Sequence, residues 1–413
     1  MGASPGHNGR GAGEVLGASL RLGLTSFGGP IAHLGYFRRE YVTRRGWLDE
    51  SAFADTVALG QFLPGPASSQ VGIAIGVGRA VLPGGLAAWI GFTLPSAVVM
   101  TVLGLGVAGG ALPGGAWVDG LKVAAVAVVA HAVWSMARAL TPDLPRALLA
   151  LAAAAVALLV ATPFTQLALI VLGAGAGIAI LPRLGVAPGL PPGAAPGAAL
   201  PGGPRVGRRT ALVALGLFAA LLFGLPLARI ATGDPTIAFT EAFYRAGALV
   251  FGGGHVVLPL LEASVVAPGW VGEDAFLAGY GAAQALPGPL FTFAAFLGAA
   301  ATGPVPGGVV GATLACVAIF LPGALLVVGA LPFWHALRAR PGARAALAGV
   351  NAAVVGILAA AFVDPVVRSG ITGPADAVVA AAGFGALLTG RVPPVAVVAG
   401  SVAATVAMRA VGA

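Results

Sequence analysis

Arg21-Leu-Gly-Leu-Thr-Ser-Phe27-Gly28-Gly29-Pro30 returns later in the chain as Arg245-Ala-Gly-Ala-Leu-Val-Phe251-Gly252-Gly253-Gly254, at an offset of 224 residues. Gly46-Trp47 then matches Gly269-Trp270, and Gln61-Phe-Leu-Pro64-Gly65-Pro66 matches Gln284-Ala-Leu-Pro287-Gly288-Pro289, both at an offset of 223. Gly84-Gly85 answers to Gly307-Gly308, and Leu94-Pro95 to Leu321-Pro322. So many anchors kept in order mark an internal duplication. The chain holds two homologous halves.

Everything around these anchors is apolar. Of 413 residues 58% are hydrophobic and only 9% charged, and the mean hydropathy is +0.96. A soluble domain carries about a quarter charged residues. A soluble enzyme and a disordered chain are both excluded, and an all-α polytopic membrane protein remains. Apolar stretches at about 14–37, 52–79, 83–109, 116–139, 146–161 and 165–182 are followed by seven more between 209 and 411, thirteen in all. The expected organisation is a disordered tail over 1–13, an N-terminal membrane repeat over 14–182 and a Pro/Gly/Arg-rich linker over 183–208. A connecting transmembrane helix over 209–235 then leads to a C-terminal membrane repeat over 236–413. Cys316, the single cysteine, lies in an apolar run and reads as a small buried side chain.

The relative orientation of the halves follows from parity and charge. Seven apolar segments separate the start of one half from the start of the other. The second copy is therefore inverted, whether all seven cross or the two interrupted ones both dip in and return. Letting the interrupted segments re-enter puts 16 arginines on the side of loop 38–45 and only Arg229, Arg368 and Arg409 on the other. With thirteen crossings the best division is 12 to 7. The positive-inside rule favours re-entrant segments, with 38–45 cytoplasmic.

The breaks point to the function. Proline removes an amide donor and glycine frees the backbone, and such backbone survives at membrane depth only inside protein or beside a water-filled cavity. Matched breaks in two halves mark a transporter's substrate site, and the half-helices that start there present amides and a positive dipole end suited to an anion. The candidate substrate site is thus Thr25, Ser26, Phe27, Gly28, Gly29 and Pro30 with Pro64, Gly65 and Pro66 in one half. Phe251, Gly252, Gly253 and Gly254 with Pro287, Gly288 and Pro289 stand in the other.

Arg21 and Arg245 precede the two breaks at equivalent positions and together could face one divalent oxyanion, since a guanidinium fork matches its edge. Gln61 and Gln284 precede the Pro-Gly-Pro breaks as uncharged donors, and Lys122 aligns with Asn351. Ser68, Ser69 and Gln70 follow the first break, whereas Leu290, Phe291 and Thr292 follow the second, so the first half is the more polar. His33, His255 and Glu241 are candidates for a coupled proton. The residues call for no metal and no cofactor, and no basic face with interleaved aromatics suggests nucleic acid.

The Leu-Gly-Leu-Thr-Ser-Phe27-Gly28-Gly29-Pro30 run, Arg38-Arg39-Glu40, Gly46-Trp47-Leu48 and Gln61-Phe-Leu-Pro64-Gly65-Pro66 resemble the chromate ion transporter family. The second copy resembles the C-terminal half of its long, two-domain bacterial members. The resemblance implies a multi-pass inner-membrane carrier, in a bacterium, that exports chromate and takes sulfate as the structural analogue, conferring chromate resistance. Composition and spacing alone reach only an oxyanion. A sulfate permease and an anion channel are the competing readings, and an integral-membrane enzyme is disfavoured because the acids and histidines are scattered. A homodimer is a compatible arrangement.

Overall fold

The computed structural model describes residues 11–110, 115–160, 165–185, 206–251 and 254–410. The first repeat runs through α1 (Ala12–Thr25), α2 (Gly29–Phe37) with a π-helical extension Arg38–Arg44, α3 (Glu50–Phe62) and α4 (Ala67–Ala108). It continues with α5 (Ala116–Leu140), α6 (Leu144–Leu159) and α7 (Thr165–Ala179). Helix α8 (Arg208–Thr232) leads to the second repeat, which begins with α9 (Pro235–Leu249), α10 (Val257–Leu261), α11 (Glu273–Ala285), α12 (Phe293–Ala300) and α13 (Gly308–Ala330). Then come α14 (Trp334–Arg338), α15 (Pro341–Ala361), α16 (Arg368–Gly370), α17 (Pro374–Leu388) and α18 (Pro394–Ala410). No strand occurs among the described residues. Most of the expected tail over 1–13 and linker over 183–208, with Arg10 and Arg205, lies outside the described residues.

Helix α4 is two helices back to back. Its backbone leaves helical geometry at Ala80 and Val81, where Val81 has φ 54°, a left-handed value that costs a β-branched residue strain. The chain reverses there because Gly76 and Gly84 lie each against the other's carbonyl, an approach no Cβ would permit. The second repeat makes the same reversal between α12 and α13, where Gly298 and Gly311 meet in the same way. Residues 67–79 thus correspond to α12 and residues 82–108 to α13.

The first two hairpins enter and leave by one face. Ser19 in α1 hydrogen-bonds Tyr41 across the first (3.1 Å), and Gly60 of α3 packs on Val71 of α4 across the second. Their outer ends share one ion-pair cluster. Glu14 receives Arg45 at 3.3 Å and Arg79 at 3.2 Å, Glu40 receives Arg44 and Arg45, and both Arg45 and Arg79 lie over the Trp47 ring. Residues 14, 45 and 79 therefore stand on the same face, and the breaks are the tips of re-entrant hairpins.

From that face, residues 82–108 rise about 40 Å at 1.5 Å per residue, enough to cross a bilayer core of about 30 Å. Helix α5 starts at the far face, where Lys122 pairs with Asp274 at the head of α11 (2.9 Å) and Arg409 near the end of α18 reaches Asp376 (3.7 Å). The second repeat's hairpins open on this far face. Arg229 in the last turn of α8 reaches Glu241 midway along α9 (3.2 Å), and the Thr302 amide donates to the Trp270 carbonyl (2.9 Å), joining the outer ends of two hairpins. The repeats are inverted, with four re-entrant hairpin arms in each; among the described residues five helical stretches are long and apolar enough to cross a membrane, in α4, α5, α8, α13 with its extension to Phe333 and α15 with its extension to Gly370, and α6, α7, α17 and α18 are shorter apolar helices.

Asp49, Asp143 and Asp234 start α3, α6 and α9 by accepting backbone amides at their N-termini. Each repeat's last hairpin packs on the other repeat's long helix. Gly120 of α5 lies on Val402 of α18, and Gly349 of α15 lies on Gly173 of α7, two contacts related by one offset of 229. Because the first face carries the arginine-rich loops, it is cytoplasmic. Cysteines placed at Arg39 and Pro83 should label from the cytoplasmic side and one at Ala267 from the outside, all three positions being exposed. Labelling of position 83 together with 267 would contradict the re-entrant, inverted topology.

Candidate functional site

The breaks pair across the repeats, each Pro-Gly-Pro tip with the residue before the other repeat's Phe-Gly break. The Gly65 amide of the first Pro-Gly-Pro tip donates to the carbonyl of Val250, the residue before the second repeat's Phe-Gly break, at 2.7 Å. The Gly288 amide of the second tip donates to the carbonyl of Ser26, before the first repeat's Phe-Gly break, at 3.0 Å. The two bonds are images of each other under the repeat. Gly65 and Gly288 hold φ of 124° and 100°, and Gly28 and Gly29 hold 95° and 79°, all in the left-handed region open to glycine.

The surroundings repeat the symmetry. A Cβ on Gly65 would lie 3.2 Å from Gly323 Cα, and one on Gly288 would lie 2.7 Å from Ser96 Oγ. Gly323 and Ser96 each follow the proline of the Leu-Pro anchor. One serine for one glycine is where the halves begin to differ.

Buried polar atoms without partners collect on the first repeat's side of this crossing. Ser26 Oγ, His33 Nε2, Ser69 Oγ, Gln70 Oε1 and Thr93 Oγ1 have no hydrogen-bond partner, although each residue is at most 3% exposed. His33 Nδ1 lies 3.3 Å from Ser68 Oγ, its ring stands edge-on to Phe92, and Gln70 Nε2 donates to the Pro64 carbonyl at 2.7 Å. Where the Ser68 hydroxyl donates to Nδ1, the His33 proton sits on Nε2, and the Ser26 backbone is a hydrogen-bond partner of the ring. Helices α2 and α4 both start here, after Gly28 and Pro66, with no side-chain cap, so their first amides are unclaimed by the helices themselves. Buried polar groups are ordinarily satisfied by protein, water or ligand. Of these atoms the Ser26, Ser69 and Thr93 hydroxyls can donate, whereas Gln70 Oε1 can only accept.

The other expected site residues are distributed as follows. Phe27 and Phe251 flank the crossing half-buried, Thr25 is exposed with its hydroxyl on the Arg21 carbonyl, and Pro64, Pro287 and Gln61 are half-buried while Pro66 and Pro289 are buried. Gln284 keeps a buried, unpartnered Nε2, and Asn351 a buried, unpartnered Oδ1 in α15. Gly254 opens a 3-10 turn. Gly252, Gly253 and the Pro30 side chain lie outside the described residues. His255 Nδ1 lies 2.7 Å from the Tyr280 hydroxyl.

Three expectations need correction. Arg21 is exposed and pairs with no carboxylate among the described residues. Gly23 must face α4 because its Cα approaches the Gly91 and Phe92 carbonyls, and at 100° per residue Arg21 is turned to the opposite side. Arg245 is held by Glu241 at 2.7 Å, and Glu241, 3% exposed, also holds Arg229; the carboxylate anchors two arginines instead of relaying a proton. Arg245 lines a small opening between α7, α9 and α10 together with Gln166 and Ser264. The two arginines therefore do not enclose one anion. Lys122 does not line a cavity either, since Asp274 and Asp119 (3.2 Å) neutralise it at the outer face. Thr93 and Ser96 escaped sequence reading because they flank Leu94-Pro95 inside an uninterrupted apolar run.

A family model described as chromate transporter matches residues 13–178 and 237–406. The chain is 30% identical over 365 residues to a chromate transport protein of Pseudomonas aeruginosa, covering 85% of this chain and 80% of the relative. It is 29% identical over 357 residues to one of Cupriavidus metallidurans, with 85% and 81% covered. An uncharacterized transporter of Methanocaldococcus jannaschii is 24% identical over 325 residues, with 77% and 75% covered. No solved structure matches.

The Gly288–Ser96 contact yields a test of the crossing. Gly288→Ala should lower stability by about 1–3 kcal/mol, the usual cost of a strained left-handed residue, with a further clash on Ser96. Ser96→Gly, which copies the Gly323 side, should recover the clash portion in the double mutant, read by thermal unfolding in detergent. Strict additivity of the two changes would show that the tip does not abut Ser96.

Proposed function

The chain belongs to the chromate transporter family, and on that premise we propose that it is a secondary carrier exporting chromate, with sulfate as an alternative cargo, driven by the membrane potential. It is a multi-pass protein of the inner membrane and a transporter, not an enzyme. The observation that carries the finer reading is the reciprocal pairing of break tips, ringed by buried donors without partners.

The chemistry suits a tetrahedral oxyanion. Unclaimed amides at the starts of α2 and α4, the hydroxyls of Ser26, Ser69 and Thr93 and the Nε2 proton of His33 are neutral donors. Such donors can replace a dianion's hydration without holding it as tightly as a fixed cation would. Release is as necessary to a carrier as binding. The arginines of the cytoplasmic face, Arg39 and Arg44 among them, raise the local concentration of anions there.

Export also follows the electrical gradient. Moving a dianion out of a negative interior gains about 4.6 kcal/mol at 100 mV, from about 2.3 kcal/mol per charge. At about 1.4 kcal/mol per decade this sustains a gradient of about a thousandfold.

In proteoliposomes with an imposed potential, chromate should accumulate in the positive compartment, and sulfate should compete better than molybdate. Flux no greater than that of empty liposomes would contradict the carrier reading. Ser69→Ala and Thr93→Val should each raise the KM for chromate about tenfold, the equivalent of a hydrogen bond to a charged group. An unchanged KM in both would remove these hydroxyls from the site.

A further inference from the structure

The two repeats share a sequence pattern but not a position in the frame. Helices α5 and α15 form that frame symmetrically, each clasped by the other repeat's last hairpin. The re-entrant arms break the symmetry. Helix α11 packs on α5: a Cβ on Gly281 would lie 2.5 Å from the Leu121 carbonyl, and Ala278 shares a buried cluster with Leu121, Ala124 and Val398. Helix α10 and the turn before it pack on α15.

The first repeat's counterparts do otherwise. Ala58, which corresponds to Gly281, is buried with Leu326 and Val327 of α13 and Trp334 of α14, whereas Val350, which corresponds to Leu121, belongs to a different core cluster. Helix α3 therefore leans towards α14 and leaves α15 to the second repeat. Both long helices of the frame are gripped by the arms that open on the outer face.

A polar contact pins each of these asymmetric positions. Lys122 holds Asp274 at the head of α11 (2.9 Å). Trp334 Nε1–H donates to Asp55 Oδ1 in α3 at 3.1 Å, with Asp55 and Trp334 both 0% exposed. Neither contact has an image in the other repeat, where Asn351, Ser51 and Ala278 stand at the positions of Lys122, Asp274 and Asp55.

We infer that Lys122–Asp274 and Asp55–Trp334 are positioning contacts of the transport cycle, holding the carrier closed towards the outside, and that transport exchanges the grips. In the exchanged state α11 leaves α5 and α3 docks on α15, bringing Ala58 against Val350 as Gly281 now meets Leu121. The inference rests on the carrier reading, because a passive scaffold needs no second state. An inverted duplication supplies that state at little cost, since each repeat already encodes the packing the other displays.

The test uses paired cysteines in a Cys316→Ala background, because a disulfide forms only where two Cα atoms come within about 7 Å. Ala124→Cys with Ala278→Cys reports the present state, and Ala58→Cys with Val350→Cys reports the exchanged one. Both pairs should cross-link in transporting proteoliposomes, each stopping chromate flux at least tenfold and each reversed by reduction. Lys122→Ala, or Asp274→Asn should the former not fold, should speed the 58–350 cross-link several-fold and slow the 124–278 one. A 58–350 pair that never cross-links in protein of normal flux overturns the exchange. Should the Cys316→Ala chain carry no oxyanion, the transport reading fails by itself. Cross-linking of both pairs in that chain would still support the exchange, and absence of the 58–350 product would still refute it.

Discussion

Irregular backbone in the middle of a bilayer must find its hydrogen bonds within the protein, and in this molecule two bonds discharge that demand. Gly65 gives its amide to Val250 and Gly288 gives its amide to Ser26. The central glycine amide of each tip finds its partner in the other repeat. Inversion makes this economical, because a geometry that satisfies one tip satisfies its image without further design. The close glycine contacts follow from it: Gly23 on α4, Gly247 on α13 and the back-to-back halves of α4 all draw the hairpins close enough for the tips to touch.

Symmetry of the backbone coexists with asymmetry of the side chains. The first repeat brings Ser26, His33, Ser68, Ser69, Gln70 and Thr93 to the crossing, whereas Phe291, Phe293 and Phe320 fill the second repeat's side of it. One flank of the crossing is polar and the other is sealed with aromatic packing. The frame of α5 and α15 is symmetric, each long helix clasped by the other repeat's last hairpin.

Much of this was legible in the sequence, for physical reasons. Proline and glycine at matched positions leave little choice but a broken helix, and arginines cannot be hidden in lipid, so the repeat, its inversion and the re-entrant arms could be read from breaks and charges. The two intramembrane arginines misled because a helix's rotation is set by what it packs against. Gly23 turns Arg21 away from the crossing, and Glu241 claims Arg245. Lys122 and Asp274 are 152 residues apart, and no local pattern announces their pairing. Thr93 and Ser96 were hidden by the apolar run around them, although a comparison with Gly323 could have singled out Ser96.

The position of the bound anion decides the account. Chromium and molybdenum scatter anomalously, so crystals of the protein soaked in chromate or molybdate would locate the ion without reference to any side-chain assignment. The crossing predicts one peak within hydrogen-bonding reach of Ser69 and the His33 ring, beside the tips at Gly65 and Gly288. A peak beside Arg245 and Ser264, with none between the tips, would contradict it.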